Sequence, residues 1–391
     1  MKPRKIADNV FWVGAIDWDR RLFDSLIPLP HGTSYNSYLI RGSEKTALID
    51  TVDPTMTNVL IEFLQELDVE NIDYIIANHA EQDHSGSLPA VLAAYPSAKI
   101  ICSTKCKPML VDLLSIKEED IITVEDEETL SLGNKTLQFV YTPWVHWPET
   151  MVTYLKEDNI LFSCDFFGSH LATSDLFVVD DADVYHPAKR YYAEIMMPFS
   201  APIKKNLEKI KDLPISIIAP SHGPLYDRPG FIVEAYHEWA AGMPKNLVVI
   251  PYVSMHGSTK LMVDHFAGSL INRNVGVKRF DLTSIDLGEL GIALVDAATI
   301  VLAAPTVLVG AHPLAIYAAH LVNALRPKAK YVSLIGSYGW GSKAVEQLTG
   351  IMSNLNAEML EPVIIKGLPK AADFDALDRL ADNIADKHKE L

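Results

Sequence analysis

Cysteine is scarce in this chain: Cys102, Cys106 and Cys164 are the three in 391 residues. That number is too small for a disulfide framework and fits a reducing compartment. Positive charge is also in deficit, with 34 Lys and Arg against 50 Asp and Glu and a formal net charge of -16. Nucleic-acid binding rests on clustered Lys and Arg that neutralise phosphates, so no nucleic-acid partner is expected. No apolar run approaches the roughly 20 residues of a membrane span, and the opening MKPRKIADNVFWVG has no apolar stretch of signal length. A cytoplasmic protein with no membrane partner is the expectation. Internal repeats and low-complexity segments are not evident.

What is present is a folded composition, 49% hydrophobic and 21% charged, on a chain too long for one ordinary core. Its rhythm changes near Met243-Pro244. Before that point, short β-branched and aromatic runs such as NVFWVGAI, YNSYLIRG, KTALIDT, TLQFVYT, MVTYLKED and NILFSCD alternate with the helical stretches MTNVLIEFLQEL and SLPAVLAAY, which suggests sheets covered by helices. After it, five near-continuous apolar strands and amphipathic helices alternate. Strands buried on both faces need no polar alternation, so this half is predicted to be a doubly wound parallel sheet. The expected domains are 1–243 and 244–391.

Between the apolar runs DYIIA and LPAVLAAY stands NHAEQDHSG, which crowds His79, Glu81, Asp83 and His84 into six positions. Titratable groups packed this closely compete unless a cation sits among them, so a metal is the first expectation. Further ligand-type residues follow other apolar runs: His146 after LQFVYT, Asp165 after ILFSC and His222 after ISIIAPS. A lone His or Asp at a strand end is more often a turn residue than a ligand. Seven together exceed one tetrahedral ion and suit two ions sharing a bridge.

In the second half, LVVIPYV runs into SMHGSTKLM. Ser254, Met255, Gly257, Ser258 and Thr259 precede or open a helix there. Hydroxyls and backbone N–H groups at a helix start make a phosphate site. The glycine spacing in this loop does not match a dinucleotide G-x-G-x-x-G, so a mononucleotide fits better. Two more strand-end loops flank the expected ring site, one with Pro305, Thr306 and Val307 and one with Ser337, Tyr338, Gly339, Trp340 and Gly341. Tyr338 or Trp340 is expected to cover the ring.

The H-x-E-x-D-H run, the later His, Asp and SHGP, and the flavodoxin-like half together resemble the flavodiiron proteins over nearly the whole chain. The resemblance implies an α/β protein with an N-terminal metallo-β-lactamase-like αββα sandwich. It implies two non-haem iron ions, one held by His79, Glu81 and His146 and the other by Asp83, His84 and His222, with Asp165 bridging. Zinc hydrolases of that fold usually carry His where this chain has Glu81, and a carboxylate there makes the site harder and favours iron. Asp50 matches an acidic residue that orients loop ligands. His31, His170 and Tyr192 sit in segments similar to the family's pocket, where they either donate protons and hydrogen bonds or brace the site. In the second half the resemblance implies FMN. The chain departs from the family after Pro305-Thr306, where Val307, Leu308 and Val309 replace polar residues.

The activity so implied is reduction of dioxygen to water, with nitric oxide reduced to nitrous oxide as a second activity. The closing helix ADFDALDRLADNIADKHKEL carries no C-x-x-C rubredoxin or flavin-reductase extension. A separate electron donor is therefore expected, rubredoxin or a reduced deazaflavin coenzyme. The short link at 242–245 and the family resemblance point to a head-to-tail homodimer, or a dimer of such dimers, in which the flavin of one chain serves the irons of the other. A zinc hydrolase joined to a flavodoxin-like module is the alternative. Cys102 and Cys106, spaced C-x-x-x-C, are expected in the core.

Overall fold

A computed structural model describes all 391 residues. The chain divides into two compact units, one of Met1–Tyr192 with Phe199–Ala241 and one of Ala193–Pro198 with Gly242–Leu391. Neither contains a helix long and apolar enough to cross a membrane.

The first unit holds two main sheets. One runs in the order Arg4–Ala7, Val10–Trp12, Tyr38–Arg41, Thr46–Ile49, Tyr74–Ala77, Lys99–Ser103, Ile121–Val124. Its first four strands pair antiparallel and the rest parallel. The other has the order Thr129–Ser131, Thr136–Tyr141, Met151–Leu155, Ile160–Cys164, Ile217–Pro220. A single apolar core joins Trp12, Tyr38, Leu48 and Ile76 of the first sheet to Phe139, Leu155 and Phe162 of the second. Leu60, Phe63 and Leu64 of the helix Thr57–Glu66 belong to the same core. The helix Ser200–Ile210 lies against the second sheet, where Asn206 Nδ2 donates to Pro143 O at 3.0 Å and Lys209 Nζ to Tyr141 O at 2.8 Å. This is the αββα sandwich.

Strand direction places the site. Thr136–Tyr141 and Ile160–Cys164 each pair antiparallel with Met151–Leu155, so they point the same way, and Ile217–Pro220 runs parallel to the second of them. The loops after these three strands, bearing His146, Asp165 and His222, therefore emerge at one edge. The two sheets are tied there by Asn78: Met151 N donates to its backbone oxygen at 3.0 Å and Thr153 Oγ1 to its Oδ1 at 2.7 Å.

The second unit is a parallel sheet in the order Gly276–Asp281, Lys245–Tyr252, Ala297–Val307, Tyr331–Tyr338, then Glu358–Met359 and Val363–Lys366 side by side along the last neighbour. In sequence order this is 2-1-3-4-5, the flavodoxin-like winding. The fifth strand is split around Leu360–Pro362, because proline has no N–H to give the ladder. The helices Ser258–Ile271, Leu287–Asp296, Pro313–Leu325, Ala344–Ile351 and Ala371–His388 alternate with these strands.

Candidate metal centre and mononucleotide pocket

His79 follows the buried strand Tyr74–Ala77, Glu81 stands at the N-cap of the one-turn helix Gln82–Ser85, and Asp83 and His84 lie within that helix. One tight turn thus delivers four side chains to one place. The loop is anchored from below by Asp50, whose two carboxylate oxygens accept from Asn78 N at 2.8 Å and Asn78 Nδ2 at 2.9 Å. Asp50 and Cys164 both hold a φ of 50°. Such left-handed backbone in a non-glycine residue costs on the order of 1–3 kcal/mol and clusters at functional sites.

The seven sequence-derived ligand candidates come together as two groups that share Asp165. Its Oδ2 lies 3.5 Å from His79 Nε2 and 3.3 Å from His146 Nε2, and its Oδ1 lies 2.9 Å from His84 Nε2 and 3.5 Å from His222 Nε2. Glu81 Oε2 closes the first group at 3.1 Å from His79 Nε2 and 3.0 Å from His146 Nε2. Asp83 closes the second, with Oδ1 3.3 Å from His84 Nε2 and Oδ2 3.1 Å from His222 Nε2. Spacings of this size would let each group hold a single ion.

The electrostatics of the protein alone describe charges awaiting a cation. Burial disfavours the charged imidazoles, yet the carboxylates outweigh it, raising His146 to about 9 and His222 to about 10 and lifting His79 and His84 as well. Burial likewise opposes the Asp165 and Glu81 carboxylates, but the surrounding histidines hold both well below the usual range. A metal ion supplies the same positive charge and replaces those protons. The donor set fits such ions, because both oxygens of Asp83, both of Asp165 and both ring nitrogens of His84 are buried without a hydrogen-bond partner. Buried polar groups are seldom left so. Four imidazoles and three carboxylates make a mixed, anionic set suited to iron.

The neighbours of the ligands select their tautomers. His222 Nδ1 donates to Ser34 O at 2.7 Å, leaving Nε2 with its lone pair toward the centre. His79 Nδ1 lies 2.7 Å from Glu149 Oε1, which also accepts from Ala80 N at 3.0 Å. Glu149 is fully buried and was not singled out in the sequence, where nothing in WPET links it to a histidine 70 positions earlier.

The three pocket candidates are placed differently from one another. His170 is buried beside the second group, its ring 4.8 Å from His222, its Nδ1 2.9 Å from Thr33 Oγ1 and its Nε2 without a partner. Burial, reinforced by His222, pushes its pKa well below the ordinary value, so it is neutral. His31 is solvent-exposed, and only its backbone oxygen is engaged, by Ala172 N at 2.9 Å. Tyr192 turns away from the centre, its hydroxyl 2.9 Å from Ser200 Oγ and its ring against Tyr236. The tyrosine facing the centre is its neighbour Tyr191, with ring centroids 4.9 Å from His170 and 5.8 Å from His222. Adjacent helical residues differ by about 100° in direction, and the Tyr-Tyr pair alone does not say which faces in. A cavity of about 500 Å³ opens over Glu81 and Asp83, walled by Phe23, Asp24, Leu113 and Trp147. Burial and the charges of Glu81 and Asp83 raise the Asp24 carboxyl. Cys102 and Cys106 are buried in the sandwich core.

In the second unit a cavity of about 440 Å³ is lined by Ser254, Met255, Ser258, Thr259, Pro305, Thr306, Val307, Ser337, Tyr338, Gly339 and Trp340, with His256 and Leu308 exposed at its rim. Gly341 lies beyond the lining. Gly257 caps the helix Ser258–Ile271 at a φ of 89° with open space around its α-carbon, which lets an anion approach the helix start. Ser254 Oγ accepts from Lys260 N at 3.2 Å and so fixes the loop across that helix start. The hydroxyls, the helix terminus and the cavity size fit a mononucleotide such as FMN. Trp340 is 79% exposed beside it.

Residues 33–223 match the family model described as ODP family beta lactamase. A nitric oxide reductase of Moorella thermoacetica is 35% identical over 393 residues, covering 98% of each chain. A coenzyme F420H2 oxidase of Methanothermobacter marburgensis is 38% identical over 316 residues, covering 78% of each. The solved rubredoxin oxygen:oxidoreductase of Desulfovibrio gigas superposes with a TM-score of 0.95 at 31% identity over 99% of each chain. With two metal groups joined at one aspartate, a flavodoxin-like second unit and relatives matched from end to end, the chain belongs to the flavodiiron protein family.

Proposed function

We propose that this chain reduces dioxygen to water and nitric oxide to nitrous oxide at a di-iron centre, with electrons passed through FMN from a separate donor. The observation that carries this reading is the Asp165 carboxylate, one oxygen toward His79 and His146 and the other toward His84 and His222. Two irons held by these residues would supply adjacent electron donors to a small diatomic molecule. The protein's own part is orientation, exclusion of water and protons. Glu149 and Ser34 hold two imidazoles in the ligating tautomer, Phe23 and Trp147 wall the approach, and neutral His170 with Tyr191 brings polar atoms to the second group. The ligand assignment is that of the sequence reading: His79, Glu81 and His146 for one iron, Asp83, His84 and His222 for the other, Asp165 for both. Residues 244–391 form the FMN-binding half and 1–243 the metal half.

The names of the relatives support rubredoxin or a reduced deazaflavin coenzyme as donor. Anaerobic steady-state rates with each gas and each donor test the activity. Consumption of neither gas by iron- and FMN-loaded protein overturns it, and zinc in protein made under iron-replete conditions favours the hydrolase alternative. Electron transfer is assigned to a head-to-tail homodimer. Pairing a chain carrying His79→Ala and Asp165→Ala with one carrying Ser258→Asp and Thr259→Asp leaves one intact flavin and iron pair only if transfer crosses between chains. About half the intact activity is then expected, the two pairs acting independently.

A further inference from the structure

Cys164 has no part in the di-iron reading, yet it lies inside the site. It ends the strand Ile160–Cys164, is 3% exposed, and is aimed by two local departures from regular strand geometry. The register against Ile217–Pro220 shifts between Phe162 and Cys164, a bulge of the kind that re-aims a side chain, and Cys164 itself holds a φ of 50°. Its backbone is pinned by Ser221 N, which donates to Cys164 O at 2.8 Å. A nitrogen of His84, the Cys164 sulfur and an oxygen of Asp165 all lie within 4.8 Å of one another. Both ring nitrogens of His84 and both oxygens of Asp165 are buried without hydrogen-bond partners.

We propose that Cys164, His84 and Asp165 form a second mode of metal binding in this cavity, which holds a thiophilic divalent cation such as zinc or cadmium in competition with the second iron. Sulfur, nitrogen and oxygen at their usual bond lengths around a tetrahedral zinc ion stand about 3.3–3.6 Å apart, and the trio's atoms lie within 4.8 Å of one another, so closing it takes a shift of no more than about 1.5 Å. Thiolate selects zinc and cadmium over harder cations, whereas the carboxylates around it favour iron, so the occupant depends on which metal is supplied. On binding, the thiol proton leaves to solvent as the sulfur–metal bond forms, with no change of oxidation state. Asp83 and His222, 3.1 Å apart, keep each other as partners when His84 turns to the soft ion. The inference rests on His84 and Asp165 being available to metals, as in the proposed function.

The probe is cadmium added to the full-length, flavin-loaded chain after removal of iron by a chelator, read by the ultraviolet thiolate-to-cadmium charge-transfer band and by cadmium NMR. A band that saturates at one thiolate per chain is expected in the wild type and falls to baseline in Cys164→Ser and Cys164→Ala, while Cys164→Ser still takes up iron like the wild type. Bound cadmium with no sulfur band, or a band undiminished in both variants, overturns the proposal. Should the variants fail to fold, the wild-type NMR shift decides by itself, since a purely nitrogen and oxygen environment overturns it. Failure of the wild type to load iron while the sulfur band appears counts against the di-iron reading and not against this one.

Discussion

Asp165 Oδ1 lies 2.9 Å from His84 Nε2, while Oδ2 of the same carboxylate is turned to the other metal group, 3.3 Å from His146 Nε2. One short side chain therefore serves two sets of ligands. Asp165→Ala is expected to lose both irons, falling from about two per chain to near none. Metal analysis of the purified variant checks it, and retention of one iron would place Asp165 in a single set.

Glu149 is placed to act on a metal ion through His79, whose Nδ1 lies 2.7 Å from its Oε1. Removing its charge while keeping its shape, Glu149→Gln, weakens the hydrogen bond that orients the imidazole and lowers its basicity. Metal affinity is expected to drop about 10- to 100-fold. Competition with a chelator measures this, and flavin content, read in the same sample, should not change.

The hairpin after Thr306 carries avoidable strain. Val307 pairs with Gly310, and the two residues between them, Leu308 and Val309, have φ values of 48° and 70°. Two-residue hairpin turns with both φ positive favour Asn-Gly, and a β-branched residue there is strained. Leu308→Asn with Val309→Gly is expected to stabilise the second unit by about 1–3 kcal/mol, since Leu308 is 87% exposed and gives up little packing. Chemical denaturation of the flavin-free chain tests it.

His388 is expected to make the second unit sensitive to acid. It is buried at the end of the last helix, its Nδ1 donating to Asn246 Oδ1 at 2.8 Å and its Nε2 2.7 Å from Thr299 Oγ1. Burial lowers its pKa, so below the ordinary value of 6.5 the unfolded chain binds the proton that the folded one resists. Stability is then full above that pH and declines as pH falls from it toward the depressed folded value. His388→Asn should flatten this part of the profile even if it is less stable at neutral pH. Thermal melts followed by flavin fluorescence across that window decide it, an unchanged slope counting against the assignment.

Ser258→Asp, which puts a carboxylate where the helix start would meet a phosphate, is expected to abolish FMN uptake while the chain stays folded. Flavin absorbance of purified protein measures it.

Much of the site was legible because its chemistry is local in sequence. His79, Glu81, Asp83 and His84 fall within six positions, and His146, Asp165 and His222 each follow an apolar strand, so the ligand types could be read from runs and punctuation. In the second half the strands Lys245–Tyr252, Ala297–Val307 and Tyr331–Tyr338 are largely buried, as their apolar runs require, whereas Gly276–Asp281 and Glu358–Met359 lie at the sheet edges and are largely exposed. Glu149 was not legible, because its role depends on a hydrogen bond to a histidine 70 residues away. Nor was the choice between Tyr191 and Tyr192, which turns on how one helix is rotated against the sheet, or the exposure of His31 in a loop without periodicity.

Residue identity and spacing by themselves determined which atoms are available to metals, which loop meets an anion, and which strands must be buried, since these depend on chemical type and on patterns a few residues long. Tertiary structure alone decided that Asp165 faces two ligand sets with separate oxygens, that Glu149 backs His79, and that the Cys164 sulfur comes within reach of His84 and Asp165. Those relations join strands far apart in the chain, and they depend on the direction, register and bulges of pairing, which no short stretch of sequence encodes.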